Sequence, residues 1–175
     1  DVLIITGDCY VDHPSFGAAI ITRVLEDCGC KVAFLAQPNI HSDADFTQFG
    51  KPRLGFMVSA GNIDSMVAHY TVAKRKRHDD AYTAGGKNGR RPDRALTVYC
   101  NILRRLYPDS PIIIGGLEAS LRRFAHYDYW SDSVMPSVLF DSRADILVYG
   151  MGELQTAEIA RRLSDGYPVE ALHDL

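Results

Sequence analysis

A β-branched run that ends in two glycines constrains the fold more than any other feature of this sequence. Residues 111–114 form the run, Gly115 and Gly116 follow it, and a helical pattern carrying Arg122 and Arg123 comes next. Uninterrupted Ile and Val runs are typical of strands buried on both faces, as in a parallel sheet. Ligands of open α/β sheets bind beyond the carboxyl ends of the strands. The two glycines therefore predict either a ligand edge or only a tight strand-to-helix turn.

Strand and helix signals alternate along the rest of the chain. The predicted strands cover 2–6, 31–36, 54–59, 111–114 and 144–149. Helical patterns cover about 16–27, 42–50, 61–70, 93–107 and 153–164. This alternation favours a parallel sheet with right-handed crossovers. We expect one α/β domain over residues 1–175, a flavodoxin-like three-layer sandwich with a five-stranded, mainly parallel sheet of order 2-1-3-4-5.

Composition narrows the class of protein. A chain of 175 residues with 46% hydrophobic content can bury one good core. No apolar run is long enough to cross a bilayer, and no signal-peptide pattern opens the chain. The four cysteines have neither metal-site nor disulfide spacing, so we expect reduced thiols in a cytoplasmic protein and no metal site. Because the sequence opens inside a strand without Met, we expect a piece of a longer protein.

The apolar period vanishes in a basic insertion at about 71–94. This insertion holds eight Lys and Arg against three Asp, a net charge of +5 in a chain whose total is −3. Such asymmetry favours an anionic partner such as RNA, and the candidate anion-binding residues are Arg75, Arg77, Arg90 and Arg91. The alternative is a solvated, mobile insertion. Aromatic residues that would stack on bases are few in this segment.

The loop after the first strand is rich in polar side chains. Asp8 stands at the carboxyl end of that strand, where a carboxylate would meet a ligand or a metal. Asp12 and His13 form either an acid–base pair or a hydrogen-bonded turn. Ser15 is either part of this site or the N-cap of the following helix.

An aromatic tract over residues 126–133 has no periodicity. It combines three aromatic residues, one His and two acids, and includes His126, Tyr129 and Trp130. Aromatic rings with polar tips are enriched at interfaces and ligand pockets. The tract therefore predicts an interdomain contact, with an aromatic clasp that holds the loop down as the alternative.

Five blocks of sequence resemble the N-terminal region of the YgiQ family of radical-SAM proteins. They are 7–17, 59–62, 77–82, 115–123 and 126–132. In that family a radical-SAM core follows, whose CxxxCxxC motif holds a [4Fe-4S] cluster that cleaves S-adenosylmethionine. None of the four cysteines here has that spacing. The resemblance thus implies a cluster and S-adenosylmethionine in the parent protein, with the core of the same polypeptide as partner, and a segment that is not catalytic alone.

The predicted shape also resembles the corrinoid-binding domains that precede some radical-SAM cores. In those domains a Gly-Gly pair and a Gly-x-Gly-Glu turn line the ligand edge, matching Gly115-Gly116 and residues 150–153. Their histidine-ligating version has Asp-x-His-x-x-Gly, whereas Asp12 and His13 are adjacent here. The resemblance implies cobalamin as a candidate ligand without a matched cobalt ligand.

These observations predict the N-terminal accessory domain of a radical-SAM enzyme of unassigned reaction, which docks on the catalytic core and closes it. The alternatives are a module that binds RNA or cobalamin. We expect the glycine turns and the aromatic tract to converge on one edge of the sheet. The candidate interface or ligand-edge residues are Asp8, Asp12, His13, Ser15, Asn62, Gly115, Gly116, Glu118, Arg122, Arg123, His126, Tyr129, Trp130, Gly150, Gly152 and Glu153.

Overall fold

The computed structural model describes residues 1–172 of the chain. The strands are β1 (Val2–Thr6), β2 (Val32–Ala36), β3 (Gly55–Ser59), β4 (Ile112–Gly115), β5 (His126–Asp128), β6 (Ser133–Met135) and β7 (Ile146–Leu147). The helices are α1 (Gly17–Asp27), α2 (Ala44–Thr47), α3 (Ser65–His69), α4 (Ala95–Leu106), α5 (Leu117–Leu121), α6 (Val138–Ser142) and α7 (Glu153–Ser164). Single 3-10 turns cover Ala84–Gly86 and Val169–Ala171.

The main sheet is parallel throughout and has the order β2-β1-β3-β4-β7. Because β7 is the predicted fifth strand, the predicted fold class and strand order are confirmed. Thr6 pairs in register with Ala36 on one side and with Ser59 on the other, and Ser59 is level with Gly115. The carboxyl ends of the strands therefore meet at one edge, which we call the carboxyl edge.

Helices cover both faces of the sheet, because side chains alternate between the two faces along each strand. Leu3, Ile5 and Phe56 pack on one face against Leu96 and Leu103 of α4. The other face carries Val2, Ile4 and Ile113, which pack against Leu25 of α1 and Ile159 of α7. The result is the expected three-layer arrangement. Within residues 1–172, no helix has the length and apolar character needed to span a membrane.

Two short elements depart from the predicted pattern. The aromatic tract forms an antiparallel hairpin, in which β5 pairs with β6 over three residues each. Helix α6 follows it, one turn and a half long and capped by the Ser137 hydroxyl. Neither segment is long enough to show a period of 2 or 3.6, which is why the sequence pattern does not reveal them.

Candidate functional site

A cleft of about 330 Å³ opens at the carboxyl edge, between the loop after β1 and the turns after β3, β4 and β7. Half of the candidate interface residues line it. They are Asp8, Ser15, Asn62, Gly115, Gly116, Gly150, Gly152 and Glu153. The parallel register brings these positions together although they come from four different loops. Its floor is apolar, because Ala18 and Ile21 of α1 face Met57 and Ile113 of the sheet there.

The turn after β4, at Gly116, and the turn after β7, at Gly150, are connected through the Ser120 hydroxyl of α5. Gly116 has a φ of +86°, and a Cβ placed on it would lie 2.8 Å from the Ser59 hydroxyl oxygen. Only glycine fits this turn without strain. The Gly150 N–H donates to the Ser120 hydroxyl at 3.0 Å, which fixes the turn after β7 against α5. The backbone at the mouth of the cleft is therefore built by close approach of three turns.

Asp8 is buried in an ion pair and does not face the cleft as a free carboxylate. The Arg91 guanidinium lies 2.9 Å from one carboxylate oxygen, and the Asn62 N–H donates to the other at 2.7 Å. Asp80 binds the same guanidinium at 3.2 Å. Burial nevertheless raises the pKa of Asp8, since desolvation outweighs these contacts. Asp8 and Arg91 thus fasten the basic insertion to the end of β1.

Arg91 is misplaced in the predicted anion-binding set. Its side chain is completely buried and also donates to the Ala60 carbonyl at 2.8 Å. Because two carboxylates already neutralise it, it presents no charge to an external phosphate. By contrast, Arg75, Arg77 and Arg90 are exposed.

The loop over residues 9–17 is held by Asn62 at one side of the cleft. The Asn62 carboxamide donates to the Ser15 carbonyl at 3.0 Å and accepts from the Gly17 N–H at 3.4 Å. Asp12 forms an exposed ion pair with Arg23 at 2.6 Å, while His13 Nδ1 accepts from the Ser15 N–H at 3.1 Å. Asp12 and His13 therefore have separate partners rather than forming an acid–base pair. The Ser15 side chain does not cap α1, whose N-cap residue is Phe16.

Glu118 and Arg122 lie inside the protein rather than on its surface. The buried Glu118 carboxylate accepts from the Ser65 N–H at 2.8 Å and from the Leu96 N–H at 3.3 Å, so it bridges the first turns of α3 and α4. Arg122 donates to Asp64 at 2.9 Å and to Asp128 at 3.1 Å. Glu118 and Arg122 therefore connect α5 to α3, α4 and the β5–β6 hairpin near the carboxyl edge.

Replacing Glu118 with glutamine is expected to destabilise the domain less at neutral pH than at acidic pH. Burial raises the pKa of Glu118 above its ordinary value of 4.5, so the folded protein holds this proton to higher pH than the unfolded chain does. Stability contributed by the protonated form is then full below 4.5 and lost as the pH rises through the folded pKa. Urea unfolding of both proteins over this range measures the difference. An identical pH dependence would show that the pKa of Glu118 is the same in the folded and the unfolded protein.

The aromatic tract lies on the basic insertion instead of lining the cleft. The Tyr129 hydroxyl donates to the Val72 carbonyl at 2.6 Å, and the Trp130 ring lies 5.3 Å from the ring of Tyr70. His126 is turned towards Arg122, with 3.4 Å between Nε2 and the guanidinium. The glycine turns therefore converge on the carboxyl edge as expected, but the aromatic tract does not. Its contacts are those of the alternative, an aromatic clasp that holds the loop down.

Sequence reasoning missed a set of exposed apolar side chains, three of which, Tyr10, Leu117 and Met151, line the cleft. Leu117 and Leu121 are exposed on α5, one turn apart, and Met151 is 86% exposed. The Arg123 guanidinium lies 4.8 Å from the ring centroid of Phe124 and 5.3 Å from that of Tyr149. We call this surface the apolar rim. Its members are Tyr10, Leu117, Leu121, Phe124, Tyr149, Met151 and Leu154. The only signal in the sequence is the i, i+4 spacing of the two leucines, which is equally typical of a buried helix face.

The cysteines do not form a site for an iron–sulfur cluster. Cys100 is fully buried and burial raises its pKa, Cys30 is buried, and Cys28 is exposed near the end of α1. Over residues 1–172 no three His, Cys, Asp or Glu side chains are grouped so that they could hold a metal ion. The residues present here therefore do not fit a cluster.

Comparisons with known proteins place the chain in a family. The family model described as "Radical SAM N-terminal" matches residues 1–175. A UPF0313 protein of Clostridium botulinum strain 657 is 58% identical over the whole chain, which covers 27% of that protein. One from Thermotoga neapolitana is 58% identical over 164 residues, 94% of this chain and 29% of the relative.

One solved structure resembles the fold. It is the methanol:cobalamin methyltransferase complex MtaBC from Methanosarcina barkeri, with a TM-score of 0.49, 15% identity, and coverage of 95% of this chain and 47% of that one. The chain spans less than a third of the length of the UPF0313 relatives above. Since the family model matches every residue, the chain belongs to the radical-SAM N-terminal family.

Proposed function

We propose that the carboxyl edge of the sheet docks against the radical-SAM core of the same polypeptide and closes that core's active site. The apolar rim is the observation that carries the proposal. Apolar patches rimmed by polar residues mark interaction sites. Because the chain corresponds to 27% of a relative's length, most of the parent polypeptide remains to cover this surface.

The exposure of the apolar rim favours contact with another part of the parent polypeptide over a role in the stability of this domain. Met151 and Leu154 are 86% and 82% exposed on the turn into α7, so they contribute little to the core. Full burial of one such side chain is worth about 1.5–3 kcal/mol. Arg123 between two aromatic rings adds a cation–π contact that strengthens when water is excluded.

Docking at this edge would assign a defined role to a domain without cluster ligands. The domain would exclude water from the reacting centre, which protects reactive intermediates from side reactions. The glycine turns and Asn62 would hold the loops of the cleft in place. The core would supply the cluster chemistry and bind S-adenosylmethionine.

Replacing both Met151 and Leu154 with aspartate in the full-length protein is expected to undock the domain. Hydrogen exchange of the amides in residues 115–124 and 149–154 should accelerate at least tenfold, because charged side chains at the centre of an apolar interface are disfavoured. The control is Phe140→Asp, which introduces one charge at a side chain that is 73% exposed on α6 and does not line the cleft.

Two results would count against docking at this edge. One is equal exchange rates in the double variant and the parent. The other is the same acceleration in the Phe140 control.

If exchange is unchanged by the double substitution but slows when hydroxocobalamin is added, the cleft is instead the site of the second candidate ligand, cobalamin. A cleft of about 330 Å³ would hold only part of that cofactor, with the remainder over its mouth.

A further inference from the structure

The basic insertion and the aromatic hairpin form one continuous surface away from the cleft. Lys74 joins the two, since its ammonium group donates to the Trp130 carbonyl at 3.3 Å and lies 4.8 Å from the centroid of the Tyr129 ring. The Tyr129 hydroxyl is bonded to the Val72 carbonyl. We call this the basic–aromatic surface. The sequence separates its two halves by some fifty residues, so only the fold brings them together.

The cations on this surface lack carboxylate partners. Six are exposed, and within residues 1–172 none has a carboxylate oxygen within 4.0 Å: Lys74, Arg75, Lys76, Arg77, Lys87 and Arg90. Elsewhere, the exposed arginines Arg23, Arg105 and Arg161 are each paired with a carboxylate at 2.6–2.9 Å. Two others are exposed without a carboxylate oxygen within 4.0 Å in the described part of the chain, Arg123 and Arg143, but they do not form a cluster of six. Of the nearby acids, Asp93 already binds His69 and Tyr70. The positive charge of the insertion is therefore available to an external anion.

Aromatic rings stand in a row beside these cations. The Trp130 ring lies between those of Tyr70 and Tyr129, with centroids 5.3 Å apart on each side. Tyr127 and Tyr129 are 61% and 45% exposed, whereas Asp128 between them is buried. Both tyrosines therefore project to the same exposed side of the hairpin. Rings next to unpaired cations are the two elements that single-stranded nucleic acid requires, one for base stacking and one for the phosphates.

We propose that the basic–aromatic surface binds a single-stranded polynucleotide, with its phosphates on the insertion and its bases on the hairpin rings. An acidic protein face would satisfy the cations but would not use the exposed surface of the Tyr127 and Tyr129 rings. Duplex RNA would satisfy the cations as well, but its bases are stacked within the helix and unavailable to the rings. RNA and DNA single strands share the chemistry that this surface recognises.

The test measures fluorescence anisotropy of labelled 12-nucleotide RNA and DNA single strands, and of the RNA duplex, with the full-length protein at several salt concentrations. Neutralising two phosphate contacts by Arg75→Ala with Lys76→Ala should weaken binding about twentyfold at 0.1 M salt. It should also reduce the salt slope by about 1.4. Lys31→Ala with Lys51→Ala makes the same charge change on exposed residues outside the surface and should leave affinity unchanged.

A second pair of variants tests stacking apart from charge. Tyr129→Leu should weaken single-strand binding about five- to a hundredfold, while Tyr129→Phe keeps the ring, loses only the bond to Val72, and should bind as the parent does. Tighter binding of RNA than of DNA would identify RNA as the ligand, and the reverse would identify DNA. The proposal fails if neither RNA nor DNA single strands bind, or if the duplex binds as tightly as they do. It also fails if the double substitution at Arg75 and Lys76 and the one at Lys31 and Lys51 weaken binding equally. If Arg75→Ala with Lys76→Ala leaves nucleic-acid binding unchanged, the insertion does not hold the phosphates and the proposal also fails.

Discussion

Replacing Arg91 with methionine is expected to lower the free energy of unfolding by about 3–5 kcal/mol. The substitution keeps most of the buried volume but leaves the carboxylates of Asp8 and Asp80 facing each other without a cation. Uncompensated buried charge of this kind is far more costly than the loss of an exposed ion pair. Native-state hydrogen exchange of β1 and β3 in the full-length protein measures the change.

The pH dependence of the Arg91 effect separates lost charge from lost packing. Without the guanidinium, which lowers the pKa of Asp8 in the parent, that pKa rises further in the folded state, so the variant regains stability as the pH falls towards about 4. The neighbouring exposed arginine provides the control, and Arg90→Met should change stability by no more than about 0.5 kcal/mol. A loss in the Arg91 variant that is independent of pH would mean that packing, not the ion pair, holds the insertion.

Replacing Gly61 with alanine is the second change with a large expected effect, about 3 kcal/mol or more. Gly61 has a φ of +109°, and an added Cβ would overlap the Asp8 carboxylate. The carboxylate would have to move away from Arg91, so the strain of the turn and the loss of the ion pair combine. Urea unfolding of the variant and its parent would quantify the loss.

Gly17→Ala is the matched control for this change. Gly17 is also at the cleft, but an added Cβ there has no atom within 4 Å, and the residue begins α1. Alanine should be neutral or slightly stabilising at this position. Equal losses at Gly61 and Gly17 would contradict the role given to the turn at Asp8.

The sheet was predictable because its inner strands β1, β3 and β4 are buried on both faces and therefore contain unbroken apolar runs. Ile112, Ile113 and Ile114 are 0–5% exposed, as expected for a strand that is covered by helices on both faces of the sheet. The convergence of the glycine turns followed from parallel pairing alone. For the same reason the cleft could be placed at the carboxyl edge before its walls were known.

The buried ion pairs were not predictable, because the pairs that tie the loops together, Asp8–Arg91 and Asp64–Arg122, join residues that are remote in sequence. In the sequence, Arg91 stands in a basic segment and would be expected on the surface. It is buried against Asp8 only because the insertion folds back onto the end of β1. Glu118 likewise reads as an exposed residue of a short helix until α3 and α4 direct their first N–H groups at it. The apolar rim was missed for a different reason. Periodicity at Leu117 and Leu121 identifies a face but not whether anything covers it.

The strand order has a consequence for how the protein is made. β1 lies between β2 and β3, which are the next two strands to leave the ribosome, and β4 and β7 are then added outward on the β3 side only. Each strand thus finds its pairing edge already formed during elongation, which favours folding during synthesis. Arg91 is synthesised after β1, β2 and β3 but before β4 and β7, so the Asp8–Arg91 ion pair can close only once the first three strands have been made. If translation pauses before residue 91, the nascent chain contains β1, β2 and β3 while the Asp8 carboxylate has no Arg91 guanidinium to pair with.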